Sequence, residues 1–166
     1  MSVEIERKYV IKKPDLNLLS TLEAYTDSEI TQTYLTSEIG VTRRVRKRAY
    51  PTFTRYHETS KRRIDRMSAV EDERQITEAE YLTLLEQKKP GSSPIVKRRI
   101  TFMYAKQLFE LDIYPRWQST CILETELGDR ATRVEFPPFI EMVAEVTGDK
   151  RYSNAGMAMS FPEELI

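Results

Sequence analysis

Charged side chains recur at every second position through this sequence, and the first such run is Val3-Glu4-Ile5-Glu6-Arg7-Lys8-Tyr9-Val10. Alternate side chains of a β-strand share a face, so Glu4, Glu6 and Lys8 stand together and Val3, Ile5 and Tyr9 stand opposite. The same alternation groups Thr42, Arg44, Arg46 and Arg48, then His57, Thr59 and Lys61, then Glu71, Glu73 and Gln75. Further on it groups Lys97, Arg99 and Thr101, then Glu110, Asp112 and Tyr114, then Glu124 and Glu126. Clustered basic groups suit a multi-phosphate anion. Clustered carboxylates suit a hard, oxygen-seeking cation such as Mg²⁺ or Mn²⁺. Such ions, bridging phosphate oxygens, let both signs share an interior that is costly when its charges go uncompensated. Phosphoryl transfer asks mainly for positioning, charge neutralisation and an oriented water. It needs no Cys or Ser nucleophile and no Gly-rich loop, and neither is apparent in the sequence.

These groups must be positioned by strands. Period-two patterning predicts eight, near 3–11, 30–36, 41–48, 53–61, 70–76, 94–103, 107–114 and 119–127. Short turn segments between several of them favour antiparallel neighbours. Residues 62–69, with Arg62, Arg63 and Arg66, read as a longer hairpin tip. Pro14 and an apolar stripe through Leu16, Leu19 and Leu22 predict a helix reaching Tyr25. Thr77-Glu78-Ala79-Glu80 reads as a capping box opening a helix that stops before Pro90-Gly91. Short helices are also expected after Pro137-Pro138 and around 155–160. The second faces of many strands are apolar, and helices with apolar stripes must bury them there. The expected fold is therefore α+β, a closed eight-stranded antiparallel β-barrel with a charged interior and helices packed on the outside.

At 166 residues, 40% hydrophobic and 31% charged, the chain is expected to form one domain, 1–166, with a core of its own. A net charge of zero argues against a dedicated nucleic-acid binder. It conceals a segregation: residues 41–66 hold ten Lys/Arg against two Asp/Glu, and residues 107–149 hold nine Asp/Glu against three Lys/Arg. One cysteine, Cys121, rules out an intramolecular disulfide framework and reads as strand packing, which points to the cytoplasm. The charged start is read as carrying no secretory signal, and no apolar run reaches membrane-span length. His57 is the only histidine, against a zinc site. Tyr114 and Trp117 are expected to cover an end of the barrel or its core, and Glu110 to pair with a nearby arginine.

Taken in order, these segments resemble the CYTH superfamily, the triphosphate tunnel metalloenzymes, over essentially the whole length. The matching elements are Glu4-Ile5-Glu6-Arg7-Lys8, Gln32-Thr33-Tyr34-Leu35, Arg44-Val45-Arg46, Thr59-Ser60-Lys61 and Glu71-Asp72-Glu73. They continue with Lys97-Arg98-Arg99, Glu110 to Tyr114, Glu124-Thr125-Glu126, and Glu145-Val146-Thr147 through Tyr152-Ser153-Asn154. The resemblance implies a triphosphate tunnel in which Lys8, Arg44, Arg46, Lys61, Lys97 and Arg99 grip phosphates. It implies that Glu4, Glu6, Glu73, Asp112, Glu124 and Glu126 hold Mg²⁺ or Mn²⁺ and position a hydrolytic water, with Glu4, Glu6 and Lys8 as the catalytic set. Lys150-Arg151 is expected to place another cation at the mouth. The run Arg43–Arg48 leaves the strand register open by one residue.

Three activities fit that resemblance. The first is metal-dependent hydrolysis of linear triphosphates, inorganic tripolyphosphate foremost, to pyrophosphate and phosphate. The second is a class IV-like adenylyl cyclase, and the third a non-catalytic polyphosphate- or nucleotide-binding module. The full set of carboxylates disfavours a mere binder, and no adenine-stacking aromatic stands out, so hydrolysis is the leading expectation. The expected partner is a small-molecule triphosphate, with no nucleic acid and no membrane, on a monomer or homodimer.

Overall fold

The computed structural model describes residues 2–165. The chain begins with β1 (Ser2–Lys12), whose charged and apolar residues alternate as the sequence predicts, and a single turn of helix, α1 (Leu16–Leu19), follows. Asp15 caps α1 by accepting from the Asn17 N–H. The Ser20 and Thr21 hydroxyls donate back to the Asn17 and Leu18 carbonyls, a competition with helical bonding that helps end it early. The helix expected to reach Tyr25 therefore stops at Leu19, and the chain enters β2 (Glu23–Leu35), a strand seven residues earlier than its pattern predicts. A register shift against the sheet lies between Glu23 and Thr26, with Ala24 at φ +54°.

Next come β3 (Val41–Ala49), β4 (Thr54–Arg63) and β5 (Ser68–Ile76). Then α2 (Glu78–Leu84) opens on the expected capping box: the Thr77 hydroxyl accepts from the Glu80 N–H, and the Glu80 carboxylate accepts from the Thr77 N–H. After a 3₁₀ turn over Leu85–Gln87 the chain continues through β6 (Ile95–Tyr104), β7 (Gln107–Ile113) and β8 (Thr120–Glu126). The helix expected after Pro137-Pro138 is only a turn, closed by the Ile140 N–H on the Pro137 carbonyl. The first proline disfavours helix before it, and neither ring supplies a donor. A short strand that the pattern does not reveal, β9 (Met142–Glu145), and the expected last helix, α3 (Asn154–Met159), complete the chain.

All strand pairings are antiparallel, in the order β5-β4-β3-β2-β6-β7-β8-β1-β9. The ladder then returns on itself: Ser2 to Ile5 of β1 pair with Glu71 to Ser68 of β5. Eight strands thus form a ring, with β9 beside the second half of β1.

Two apolar clusters cover the outside of the ring. Tyr9, Ile11, Ile100, Phe102, Phe109, Leu111, Cys121 and Leu123 pack with Leu19 of α1 and with Phe136, Phe139 and Ile140. On the other side Leu35, Val45 and Ile76 pack beneath Tyr81 of α2. Cys121 is buried strand packing, as expected. The third cluster belongs to the interior, because Val10, Tyr34, Ile95 and Ile122 lie on the same strand faces as Lys8, Gln32, Lys97 and Glu124. With Tyr114, Trp117, Tyr152, Val146 and Met157 they fill one end of the ring. Trp117 and Tyr114 are therefore core at an end, and α3 caps that end instead of lying on the outer wall. No helix among the described residues is long and apolar enough to cross a membrane.

Candidate active site

Above this apolar plug the interior opens into a cavity of about 1590 Å³. Its wall is built by the alternation of the strands. β1 supplies Glu4, Glu6 and Lys8; β3 supplies Arg44, Arg46 and Arg48; β4 supplies His57, Thr59 and Lys61. β5 adds Glu71, Glu73 and Gln75, β6 adds Arg99, β7 adds Glu110, and β8 adds Glu124 and Glu126. The register left open in Arg43–Arg48 is settled by Val45. That side chain is wholly buried under α2, so Arg44, Arg46 and Arg48 turn inward and Arg43 turns outward. There Arg43 pairs with Glu58 at 3.0 Å and donates to Gln87 at 3.0 Å.

The cations divide into two kinds. Several are already matched by carboxylates. Lys8 Nζ lies 2.9 Å from Glu124 and donates to the Tyr152 carbonyl at 3.1 Å. Lys61 Nζ lies 3.1 Å from Glu4 and 3.9 Å from Glu71. Arg99 grips Asp112 with two donors, at 2.7 and 2.9 Å, and Glu110 with a third at 2.7 Å. Glu110 thus pairs with an arginine, as expected.

The β3 arginines that face the cavity form no ion pair among the described residues. Arg46 donates only to the neutral Gln32 amide oxygen at 3.4 Å, Arg48 to the Ser28 hydroxyl at 2.9 Å, and Arg44 Nε is buried without a hydrogen bond. Burial and the neighbouring Arg44 and Arg99 push Arg46 down to about 9, still cationic at neutral pH. The inward face of this strand is an unmet positive row among the described residues.

Lys97 and Asp112 do not line the cavity, contrary to their expected places at the phosphates and the metal. Both are buried beneath it and joined at 2.6 Å, where Lys97 also reaches the Asn154 amide oxygen at 3.4 Å. The physical reason is stoichiometric: one carboxylate answers two buried cations. Burial opposes its ionisation, yet Arg99 and Lys97 hold the Asp112 carboxyl well below its ordinary range. Lys97, left with the smaller share, is pushed down to about 7 by burial, with Arg99 and Arg46 adding to the effect.

The carboxylates on the wall show the opposite strain. Repulsion from Glu124, together with burial, raises Glu6 to about 7. Burial, with its Glu71 neighbour, raises Glu4, and burial with Glu4 and Glu110 raises Glu126. Glu124 itself is brought down to about 2 by Lys8, against the cost of burial. Among the described residues no three Asp, Glu, His or Cys side chains converge on one point. The donor chemistry nonetheless fits a hard divalent cation. Glu4 Oε2 is buried and accepts no hydrogen bond despite its Lys61 neighbour, and Glu6 and Glu126 make no ion pair among the described residues.

Several wall residues fall outside the strand patterns. Lys89 arrives on the loop after α2, and Thr147, Lys150 and Asn154 arrive from the segment after β9. Of the expected Lys150-Arg151 pair, Lys150 lines the cavity, whereas Arg151 folds back onto Asp149. At the hairpin tip Arg63 and Arg66 line it, and Arg66 donates to the Thr147 carbonyl at 3.0 Å. Only the closing Glu145–Asn154 motif announced this segment in the sequence.

Comparison with solved structures agrees with this architecture. The chain is similar to the inorganic triphosphatase NE1496, at 28% identity and a TM-score of 0.60, over 98% of this chain and 99% of that one. It is also similar to the PH1819 protein from Pyrococcus horikoshii OT3, at 19% identity and a TM-score of 0.59, over 76% of this chain and 80% of the other. HpAC1 from Hippeastrum, described as having a dominant triphosphatase activity, aligns at 12% identity and a TM-score of 0.51, over 75% and 80%. No protein-family model matches the chain, and no curated protein matches it. The eight-strand ring with its charged interior is consistent with a CYTH-type fold, in line with the resemblance legible in the strand motifs.

Proposed function

We propose that this protein is a divalent-metal-dependent hydrolase of the phosphoanhydride bond in linear triphosphates, with inorganic tripolyphosphate its foremost substrate. One observation carries the reading. An unpaired arginine row on β3 shares a cavity with β1 and β8 carboxyls that burial and mutual repulsion press toward protonation. A triphosphate satisfies the first set and a divalent cation the second. The whole-length likeness to NE1496, described as an inorganic triphosphatase, supports the same chemistry.

In this reading the ring is a closed tunnel, and Arg44, Arg46, Lys61 and Arg99 hold the phosphate chain by charge-assisted hydrogen bonds. Glu4, Glu6, Glu73, Glu124 and Glu126 would hold Mg²⁺ or Mn²⁺, which when bound would supply neutralisation of phosphate charge and polarisation of the P–O bond. Asp112 serves instead to hold Arg99 in place, and Lys97 backs it. The water oxygen bonds to the terminal phosphorus, and the bridging P–O bond breaks. Pyrophosphate leaves with the bridging oxygen, and the water's proton passes to a carboxylate of the Glu4–Glu6 pair. Lys8, fixed by Glu124 and the Tyr152 carbonyl, offsets charge gathering on the departing oxygen.

The test is product analysis after incubation with tripolyphosphate, ATP or thiamine triphosphate and each metal. Phosphate plus pyrophosphate is expected, and Glu4→Gln or Glu126→Gln should abolish turnover while thermal unfolding stays cooperative. Cyclic AMP from ATP would establish the cyclase instead, and tight binding without turnover a binding module.

A further inference from the structure

Arg48 belongs to the unpaired row but lies outside the Arg44-Val45-Arg46 element that carries the resemblance. It lies on β3 two residues beyond Arg46 and lines the same cavity. Two contacts hold it. Its Nε donates to the Ser28 hydroxyl of β2 at 2.9 Å, and its guanidinium lies over the Tyr50 ring, 4.8 Å from the centroid. Tyr50 is itself held, stacked on Phe53 across the β3–β4 turn with ring centroids 4.6 Å apart and planes 20° apart. The Tyr50 N–H closes that turn on the Phe53 carbonyl at 2.8 Å. Arg55 covers the Phe53 ring, 5.0 Å from its centroid. Neither the hydroxyl nor the rings can neutralise the guanidinium. Its charge is aimed but not answered.

The placement separates Arg48 from Glu4, a carboxyl group proposed to hold metal. Lys61, Glu4 and Glu71 gather around the other end of the row, next to Arg44. Arg48 is four residues further along an extended strand, about 13 Å at roughly 3.3 Å per residue. A cation at that distance grips the far end of a bound chain equally in ground and transition state. Such uniform binding shows in KM and not in kcat.

On the triphosphate reading above, we propose that Arg48 is a third anion-gripping arginine of β3, with Ser28 and Tyr50 as its positioning residues. The substrate class is then a linear polyphosphate whose chain extends past Arg46 toward the Tyr50 turn. The neutral fork partner and the stacked ring pre-orient the guanidinium, so little side-chain freedom is lost when phosphate arrives.

The test is steady-state hydrolysis of tripolyphosphate with Mg²⁺ by the full chain, with equilibrium binding of tripolyphosphate measured alongside. Arg48→Gln is expected to raise KM and weaken binding about tenfold, with kcat within about twofold, the scale of one charge-assisted hydrogen bond. Arg48→Lys, which keeps the charge but loses the fork, should fall between. Tyr50→Phe keeps the stacked ring and should match the native protein, whereas Tyr50→Leu should raise KM about threefold. Lys47→Gln, the same charge change on the exposed face of β3, should leave both constants unchanged. An unchanged KM in Arg48→Gln, or equal effects of Tyr50→Phe and Tyr50→Leu, overturns the proposal while leaving the triphosphatase reading in place. A native protein that neither binds nor hydrolyses tripolyphosphate overturns both.

Discussion

Replacing Asp112 by Asn should destabilise the protein by about 3 kcal/mol, as expected when one partner of a buried ion pair is removed. The carboxylate is 1% exposed and accepts from Lys97 at 2.6 Å and from Arg99 at 2.7 and 2.9 Å. Asn keeps the shape and one acceptor but removes the charge between two cations. Arg99 retains Glu110 at 2.7 Å, so the stranded group is Lys97, whose remaining partner is the Asn154 amide oxygen at 3.4 Å. Breaking a buried pair typically costs about 3–5 kcal/mol, and the acceptor that survives favours the lower end. In a chain of this length that lowers Tm by about 6–12 °C. Guanidinium unfolding should show a lower midpoint with an unchanged m-value. Adding Lys97→Met to Asp112→Asn removes the stranded cation and should recover roughly half of the loss. A loss under about 1 kcal/mol, combined with disappearance of the Mg²⁺-induced rise in Tm, would refute this reasoning and make Asp112 a metal ligand after all.

Acidity should stabilise the metal-free protein over a defined window. Glu6 is raised to about 7 and Glu4 and Glu126 are raised in the same direction. The native state therefore binds protons that the unfolded state releases, and this contribution is present below about pH 4.5 and lost as pH rises through 7. His57, lowered by burial, opposes the trend below its ordinary 6.5, and Lys97 opposes it above 7. Calorimetry should accordingly find Tm a few degrees higher at pH 5.5 than at pH 7.0 without metal, and Mg²⁺ should shrink the difference; a Tm that climbs across that interval without metal contradicts the carboxyl shifts. Gly156→Ala should cost about 2–3 kcal/mol, because its Cβ would lie 2.0 Å from the Lys150 carbonyl oxygen, and backbone yields poorly to such overlap. Gly128→Ala meets nothing within 4 Å and should change stability by less than about 0.5 kcal/mol in the same denaturation assay.

Alternation proved the most legible property of this sequence, because a strand's period of two is imposed by backbone geometry alone. It located eight strands of the ring and, in Glu4-Ile5-Glu6-Arg7-Lys8 and its counterparts, most of the cavity wall. It was blind where that period is weak or interrupted. β9 is four residues long and mixes Met142, Val143, Ala144 and Glu145 without a charged repeat. The first half of β2, Glu23 to Glu29, looks like the continuation of an amphipathic turn until Tyr25 packs on the outer core. Depth along the ring was equally hidden. Lys97 and Asp112 share a face with wall residues, yet they lie at the level where Tyr114, Ile95 and Val10 close the interior. Period two tells which side a residue faces, never how far down that side it sits.

Internal pairing explains how an interior of both signs is tolerable. Charges nearest the apolar plug, where desolvation is worst, are those the protein pairs within itself: Lys97 and Arg99 with Asp112, and Lys8 with Glu124. Facing the cavity, Arg44, Arg46 and Arg48 on β3 and Glu6, Glu73 and Glu126 on other strands of the ring are left without ion pairs among the described residues. An anion held at β6–β7 alone would compete with existing ion pairs, each desolvated and costly to lose. One arriving at β3 displaces only water and neutral partners. The arrangement therefore directs a polyphosphate first to β3, with Lys61 and Arg99 meeting it while braced by Glu4 and Asp112, and leaves the stability of the ring mainly to the buried Lys97–Asp112 pair. Substitutions at Asp112 or Lys97 should accordingly act first on folding, and substitutions along Arg44–Arg48 first on affinity.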